Sequence, residues 1–175
     1  MRHDRQAWLW QVCVMALGAF LVIGRTASLS AASTTPYLGT PAAIPGQINA
    51  QNFDNGGEGV AYHDTTAGNS GGQFRSTDVD IEQSSEGAYD VGWIAAGEWL
   101  NYTVNVATAG TYSFSVRVAS PGIGGTFHLE MAGSNVSGAI KPVSKPLRPS
   151  IAFTIDASSV LPPARLIISA NSLPD

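Results

Sequence analysis

The sequence predicts an all-β protein built as an antiparallel β-sandwich. Three observations carry that prediction. Only 13% of the 175 residues are charged and 19 are glycine, a mixture that suits short strands and turns better than a helical bundle. Apolar residues alternate with polar ones at period two in several stretches, and no amphipathic helix follows residue 32. Clusters of Gly, Asn, Ser and Pro separate those stretches at short intervals, as in a sandwich.

Taken in order, the chain begins with an address. Arg2 and Arg5 precede the largely apolar run Ala7 to Gly24, and Ser30-Ala31-Ala32 places small residues before a cut after Ala32. This is the layout of a secretory signal peptide over residues 1–32, which places the protein outside the cell. The apolar run also meets the lower length limit of a spanning helix, so a membrane is a partner only if the segment stays uncut. Residues 33–45, rich in Pro, Gly and Thr, read as a linker. Residues 46–140 read as the sandwich and 141–175 as a distinct C-terminal segment.

Within the sandwich, Ile48 to Phe53 reads as a first strand and Asn55-Gly56-Gly57 as a turn. Val60 to His63 is a short strand or loop. Thr65 to Gln73, with Gly68, Asn69, Gly71 and Gly72, is a long surface loop. Val79 and Ile81 alternate with acids as in a half-buried strand. Leu100, Tyr102, Val104 and Val106 alternate with polar residues. So do Tyr112, Phe114, Val116 and Val118, after a turn containing Gly110. The two stretches read as an antiparallel hairpin with one face in the core. Phe127, Leu129 and Met131 repeat the pattern, and Val136 and Ile140 begin another strand. Beyond the prolines of Lys141 to Pro149, Ile151 to Ile155 and Arg165 to Ser169 are strand material whose register is not readable.

Composition excludes several functions. The net charge is −4, so a basic nucleic-acid binder is excluded. Cys13 is the only cysteine, which rules out an intramolecular disulfide and thiolate metal sites. Nine of the 13 acids lie between Asp54 and Glu98, where Arg75 is the only Lys or Arg. Such a stretch in a secreted domain fits either calcium or a solvated acidic surface. The histidines are His3, His63 and His128. No Gly-x-Ser-x-Gly elbow accompanies them, so a nucleophilic triad finds no support. A single small sandwich also leaves little room for the carboxylate-lined cleft of a glycosidase. Gly56-Gly57-Glu58-Gly59 lacks the lysine of a phosphate loop.

A binding reading remains. Aromatic rings on a β-scaffold stack on the apolar face of a sugar ring while amides and acids bond its hydroxyls. Trp93 follows Gly92 between turns and is the first candidate, with Tyr89, Tyr62 and Glu58 as further candidates. Trp99 is opposite in parity to Leu100 and Tyr102 and is expected to pack. Asn101-Tyr102-Thr103 and Asn135-Val136-Ser137 are glycosylation sequons in a suitable host.

These residues resemble a known family. Ile44 to Asp54, Gly56 to Asp64, Val79 to Glu82, Tyr89-Asp-Val-Gly-Trp-Ile94, Gly97-Glu-Trp-Leu-Asn-Tyr-Thr-Val104 and Gly110 to Ala119 resemble, in order, the segments of a family 6 carbohydrate-binding module. The resemblance runs from about Ile44 to Ile140. It implies a lectin-like β-sandwich of the jelly-roll type, a monomer, a structural calcium ion, and non-catalytic binding of plant or algal cell-wall polysaccharide. In such modules a loop cleft holds the sugar between two aromatic rings, and Trp93 matches one of them. The other normally comes from a Gly-Gly-Trp-x-x-Trp loop, where this chain has Lys141 to Pro149. The calcium positions of the opening strand hold Asn49 and Gln51, joined by a main-chain carbonyl near Arg75. Neutral amides hold calcium more weakly than acids do. Two other readings stay open at this point: a fragment of a glycoside hydrolase, and a surface-anchored interaction domain without sugar affinity.

Overall fold

The computed structural model describes residues 33–85, 87–118, 120, 124–141 and 150–171. The apolar N-terminal run and its cut site lie outside the described residues. Ten strands and one 3-10 turn follow one another: β1 (Ala42–Ile44), the turn (Ala50–Asn52), β2 (Tyr62–His63), β3 (Ile81–Gln83), β4 (Tyr89–Val91), β5 (Trp99–Val106), β6 (Thr111–Arg117), β7 (Thr126–Met131), β8 (Ser134–Asn135), β9 (Ser150–Asp156) and β10 (Ala164–Asn171). Among the described residues there is no α-helix, and no helix is long and apolar enough to cross a membrane.

One six-stranded sheet runs β1-β5-β10-β7-β8, with β2 also on β5; β6 pairs with β9, and β3 with β4. All these pairings are antiparallel except β1 on β5. Period two sorts the side chains of β5. Tyr102, Val104 and Val106 turn inward and are buried, joined by Leu129, Met131 and Leu166 from β7 and β10. Tyr112, Phe114 and Val116 of β6 and Ile155 of β9 pack against that layer. The core thus lies between the large sheet and the β6–β9 pair.

Three expectations change here. Residues 48–53 form no strand; a 3-10 turn covers Ala50–Asn52, closed by Asn52 N–H on the Asn49 carbonyl. The turn lets the Ala50 carbonyl accept the buried Tyr102 hydroxyl at 2.8 Å. Second, the hairpin between Leu100–Val106 and Tyr112–Val118 does not exist. Strand β5 spends both its edges on β10 and on β1 and β2. Residues 107–110 therefore carry the chain to β6, whose partner is β9. Third, the segment read as a linker joins the sandwich. Ala42–Ile44 pairs with Val104–Val106, and Thr35 bridges to Asn55.

The C-terminal segment completes the fold. Strand β10 lies between β5 and β7, six residues in register with each. It also orders the loop before β5: Gly97 N–H donates to the Ala170 carbonyl and Ala170 N–H to the Glu98 carbonyl, each at 2.9 Å.

One polar knot is buried under β5. Asp54, 2% exposed, accepts Thr103 N–H at 2.9 Å, Thr103 Oγ1 at 2.6 Å and Asn101 Nδ2 at 3.0 Å. Three donors compensate the desolvated carboxylate. The same knot closes the first sequon, because Asn101 is wholly buried.

Candidate functional site

The β3–β4 hairpin and the loops beside it form the site. Strand β4 ends at Val91, and the chain turns out through Gly92, whose N–H donates to the Asp80 carbonyl at 3.0 Å. Trp93 follows with φ of 49° and 59% of its surface exposed. A left-handed backbone is costly for a bulky side chain and persists only where its surroundings impose it. The expected display of Trp93 on a loop is what the structure has, and Ile94 beside it is equally open at 58%. An exposed indole gives up burial worth about 2–3 kcal/mol.

Tyr89 lies on β4 opposite Gln83 and is partly exposed. Its ring centroid is 4.9 Å from that of Phe74, and Phe74 is in turn 5.4 Å from Tyr37. A row of three rings thus runs along the surface. Phe74 and Tyr37 went unnoticed in the sequence. Phe74 is the one large apolar residue in a polar loop, which is the only signal that marks it. The loop is held by Asn69, whose Nδ2 donates to the Gln73 and Arg75 carbonyls at 2.8 and 3.0 Å while its Oδ1 accepts from Gly72 and Ile81. Gly71 is needed there, since a Cβ would stand 2.1 Å from the Ile81 carbonyl oxygen.

The other expected site residues divide. Tyr62 is 5% exposed, with its ring edge-on to Phe53 at 5.4 Å. This corrects its place among the stacking residues: it is a core ring, and only its hydroxyl reaches Asp78, at 3.3 Å. Glu58 is exposed. One carboxylate oxygen meets His63 Nδ1 and the other accepts Asp64 N–H at 3.0 Å. Glu58 holds the His63 imidazole above its ordinary value of 6.5. Trp99 is half-buried and lines a shallow concavity of about 420 Å³ with Gly59, Val60, Arg165 and Ile167. That hollow does not include Trp93, Tyr89 or Phe74, so ring display rather than depth defines the candidate site.

Asn49, Gln51 and Arg75 do not present a calcium cage. Asn49 Oδ1 accepts Gln47 Nε2 at 3.2 Å, and the Arg75 carbonyl accepts Asn69. Gln51 is buried. Among the described residues no three His, Cys, Asp or Glu side chains group to hold a metal. The three positions supply neutral oxygens, two of them already accepting hydrogen bonds, and do not fit a tight site for a doubly charged ion. Arg75 instead serves structure. Its guanidinium lies 3.8 Å over Phe53 and 4.5 Å over Tyr37, and donates to the Phe53 and Asp54 carbonyls and to Asn55 Oδ1. Burial pulls its pKa below the usual guanidinium value.

Comparison with known proteins agrees with this architecture. Residues 70–145 match the carbohydrate binding module (family 6). A family 6 module from Clostridium stercorarium, solved in complex with cellobiose, superposes with a TM-score of 0.54 at 15% identity, covering 77% of this chain and 90% of that one. At that identity the likeness is one of fold. The C-terminal family 6 module of a marine laminarinase from Zobellia galactanivorans has a TM-score of 0.47 at 26% identity, covering 61% of this chain and 88% of that one. No curated protein matches the chain. Over residues 70–145 the sequence is thus similar to the carbohydrate binding module (family 6), and over the described residues the fold is a β-sandwich like that of the Clostridium stercorarium module.

Proposed function

We propose that the chain is a secreted, monomeric module that binds cell-wall polysaccharide by stacking a sugar ring on Trp93, with Tyr89 and Phe74 extending the aromatic surface. The observation that carries this reading is the exposure of Trp93, 59%, on a loop whose backbone is left-handed at that residue. An indole held out of the core in a costly conformation is spent on something outside the fold. Stacking on the flat apolar face of a pyranose uses both the ring and its rigidity. Glu58 and Gln73, both exposed, are polar groups on neighbouring loops suited to sugar hydroxyls. Calcium is proposed as a weak ligand at most, for want of charged donors.

The test is retardation of the full chain in gels containing laminarin, xylan, lichenan or agarose. Retardation by at least one polymer, removed by Trp93→Ala with the thermal transition unchanged, is the expected result. Retention that survives Trp93→Ala overturns the site, and no retention by any polymer overturns the function.

A further inference from the structure

Glu98 is 8% exposed, in a loop whose exposed face displays Trp93. Its side chain bonds to backbone and side chain of two loops. Oε1 accepts Thr65 N–H at 3.0 Å and Thr65 Oγ1 at 2.6 Å. Oε2 accepts Ala95 N–H at 2.8 Å. Its main chain closes the same loop, Glu98 N–H reaching the Ala95 carbonyl at 3.3 Å while its carbonyl accepts from Ala170. One carboxylate therefore staples the Trp93 loop to the loop at Thr65, and that loop is tied to Glu58 through Asp64 N–H. A buried acid is expensive unless its oxygens are met, and here three donors meet them.

We propose that Glu98 is the positioning residue of the binding site: its carboxylate fixes the 92–98 loop so that Trp93 is held in its left-handed, outward conformation. This rests on the reading of Trp93 as the sugar platform. The argument is one of over-determination. Trp93 at φ of 49° needs restraint on both sides. Gly92 on Asp80 supplies it before the tryptophan, and Ala95 on Glu98 supplies it two residues after. Without the second restraint the loop relaxes toward ordinary backbone, and the ring must be re-ordered at each binding event, at the expense of affinity.

The experiment compares Glu98→Gln and Thr65→Val with the parent in the full chain. Gln keeps the shape and one acceptor but cannot serve Thr65 and Ala95 together; Val removes only the Thr65 hydroxyl and is the variant to rely on if the first fails to fold. Two readouts are taken: hydrogen exchange of the amides of residues 93–97 against those of β5 and β10, and retardation in laminarin, xylan, lichenan and agarose gels. Faster exchange confined to 93–97, with retention weakened by about tenfold for Glu98→Gln and less for Thr65→Val, is expected. Unchanged exchange at 93–97 overturns the proposal. So does weaker retention accompanied by equal loss of protection in β5 and β10, since Glu98 then serves the sandwich as a whole. If Trp93→Ala leaves retention intact, the platform reading fails on its own, while the exchange data still decide whether Glu98 fixes the loop.

Discussion

Single side chains divide between those that hold the fold and those the fold holds out. Trp93 belongs to the second group, and Trp93→Ala is expected to weaken polysaccharide retention by about 1–3 kcal/mol, roughly 5- to 150-fold, judged by the worth of aromatic stacking on nucleobases. Affinity electrophoresis beside a thermal melt checks it, and the melt should not move. Asp54 belongs to the first group. Asp54→Ala removes the acceptor of Thr103 N–H and Thr103 Oγ1 under β5 and leaves Asn101 Nδ2 with Thr34 Oγ1 alone. The expected loss is about 3 kcal/mol or more by denaturant titration. At Gln51 the replacement Gln51→Glu supplies the missing charge. A thermal melt of the parent should be unmoved by millimolar calcium or chelator, whereas the variant should be destabilised without calcium and recover with it. The contrast explains what was legible at this scale. Trp93 stands out in the sequence because it interrupts a turn. Tyr62 was misplaced because a tyrosine beside a loop looks the same whether its ring faces Phe53 or water. Phe74 stayed invisible because its role depends on rings distant in sequence, Tyr89 on the β3–β4 hairpin and Tyr37 in the segment that Thr35 ties to Asn55.

Elements follow from alternation, and their partners do not. The periods of Leu100–Val106, Tyr112–Val118, Phe127–Met131 and Ile151–Ile155 name β5, β6, β7 and β9 correctly. Pairing β5 with β6 fails because sequence proximity favours a hairpin, while the two edges of β5 are already taken by β10 and by β1 with β2. The loop from Thr65 to Gln73 was legible as a loop, but not its attachment to β3 through Asn69 and Gly71. Another tie is electrostatic. His63 sits on β2 beside Glu58, with Asp64 and Glu98 adding negative charge around it. A raised folded value means that the pairing stabilises the protein fully below about 6.5, the unfolded value, and that its contribution is lost as pH rises through the folded value. The gap in melting temperature between the parent and His63→Gln is therefore expected to be widest below about 6.5 and to shrink as pH rises through the folded value. A gap that widens with pH contradicts the assignment.

At the scale of the whole molecule, the decisive strand comes from the segment that least resembles the family. Its prolines and missing tryptophans read as divergence, and no local pattern in Ala164 to Asn171 says where such a strand inserts. The structure puts it at the middle of the large sheet. Tyr102 and Val104 of β5 and Leu129 and Met131 of β7 lie on either side of Leu166 in the core layer, and all five are almost fully buried. Strand β9 is likewise the only partner of β6 among the described residues. A chain ending at Ile140 therefore loses the hydrogen bonds of two ladders at once and opens both layers of the sandwich to water. It also frees the Gly97 and Glu98 backbone that β10 holds, and with it the base of the Trp93 loop. The truncated chain is expected to show no cooperative thermal transition, to bind a hydrophobic dye, and to lose polysaccharide retention together with its fold. Cooperative unfolding of that chain at a temperature near the parent's would mean that β5 and β7 can close on each other, and that β10 is an addition to the sandwich instead of its centre.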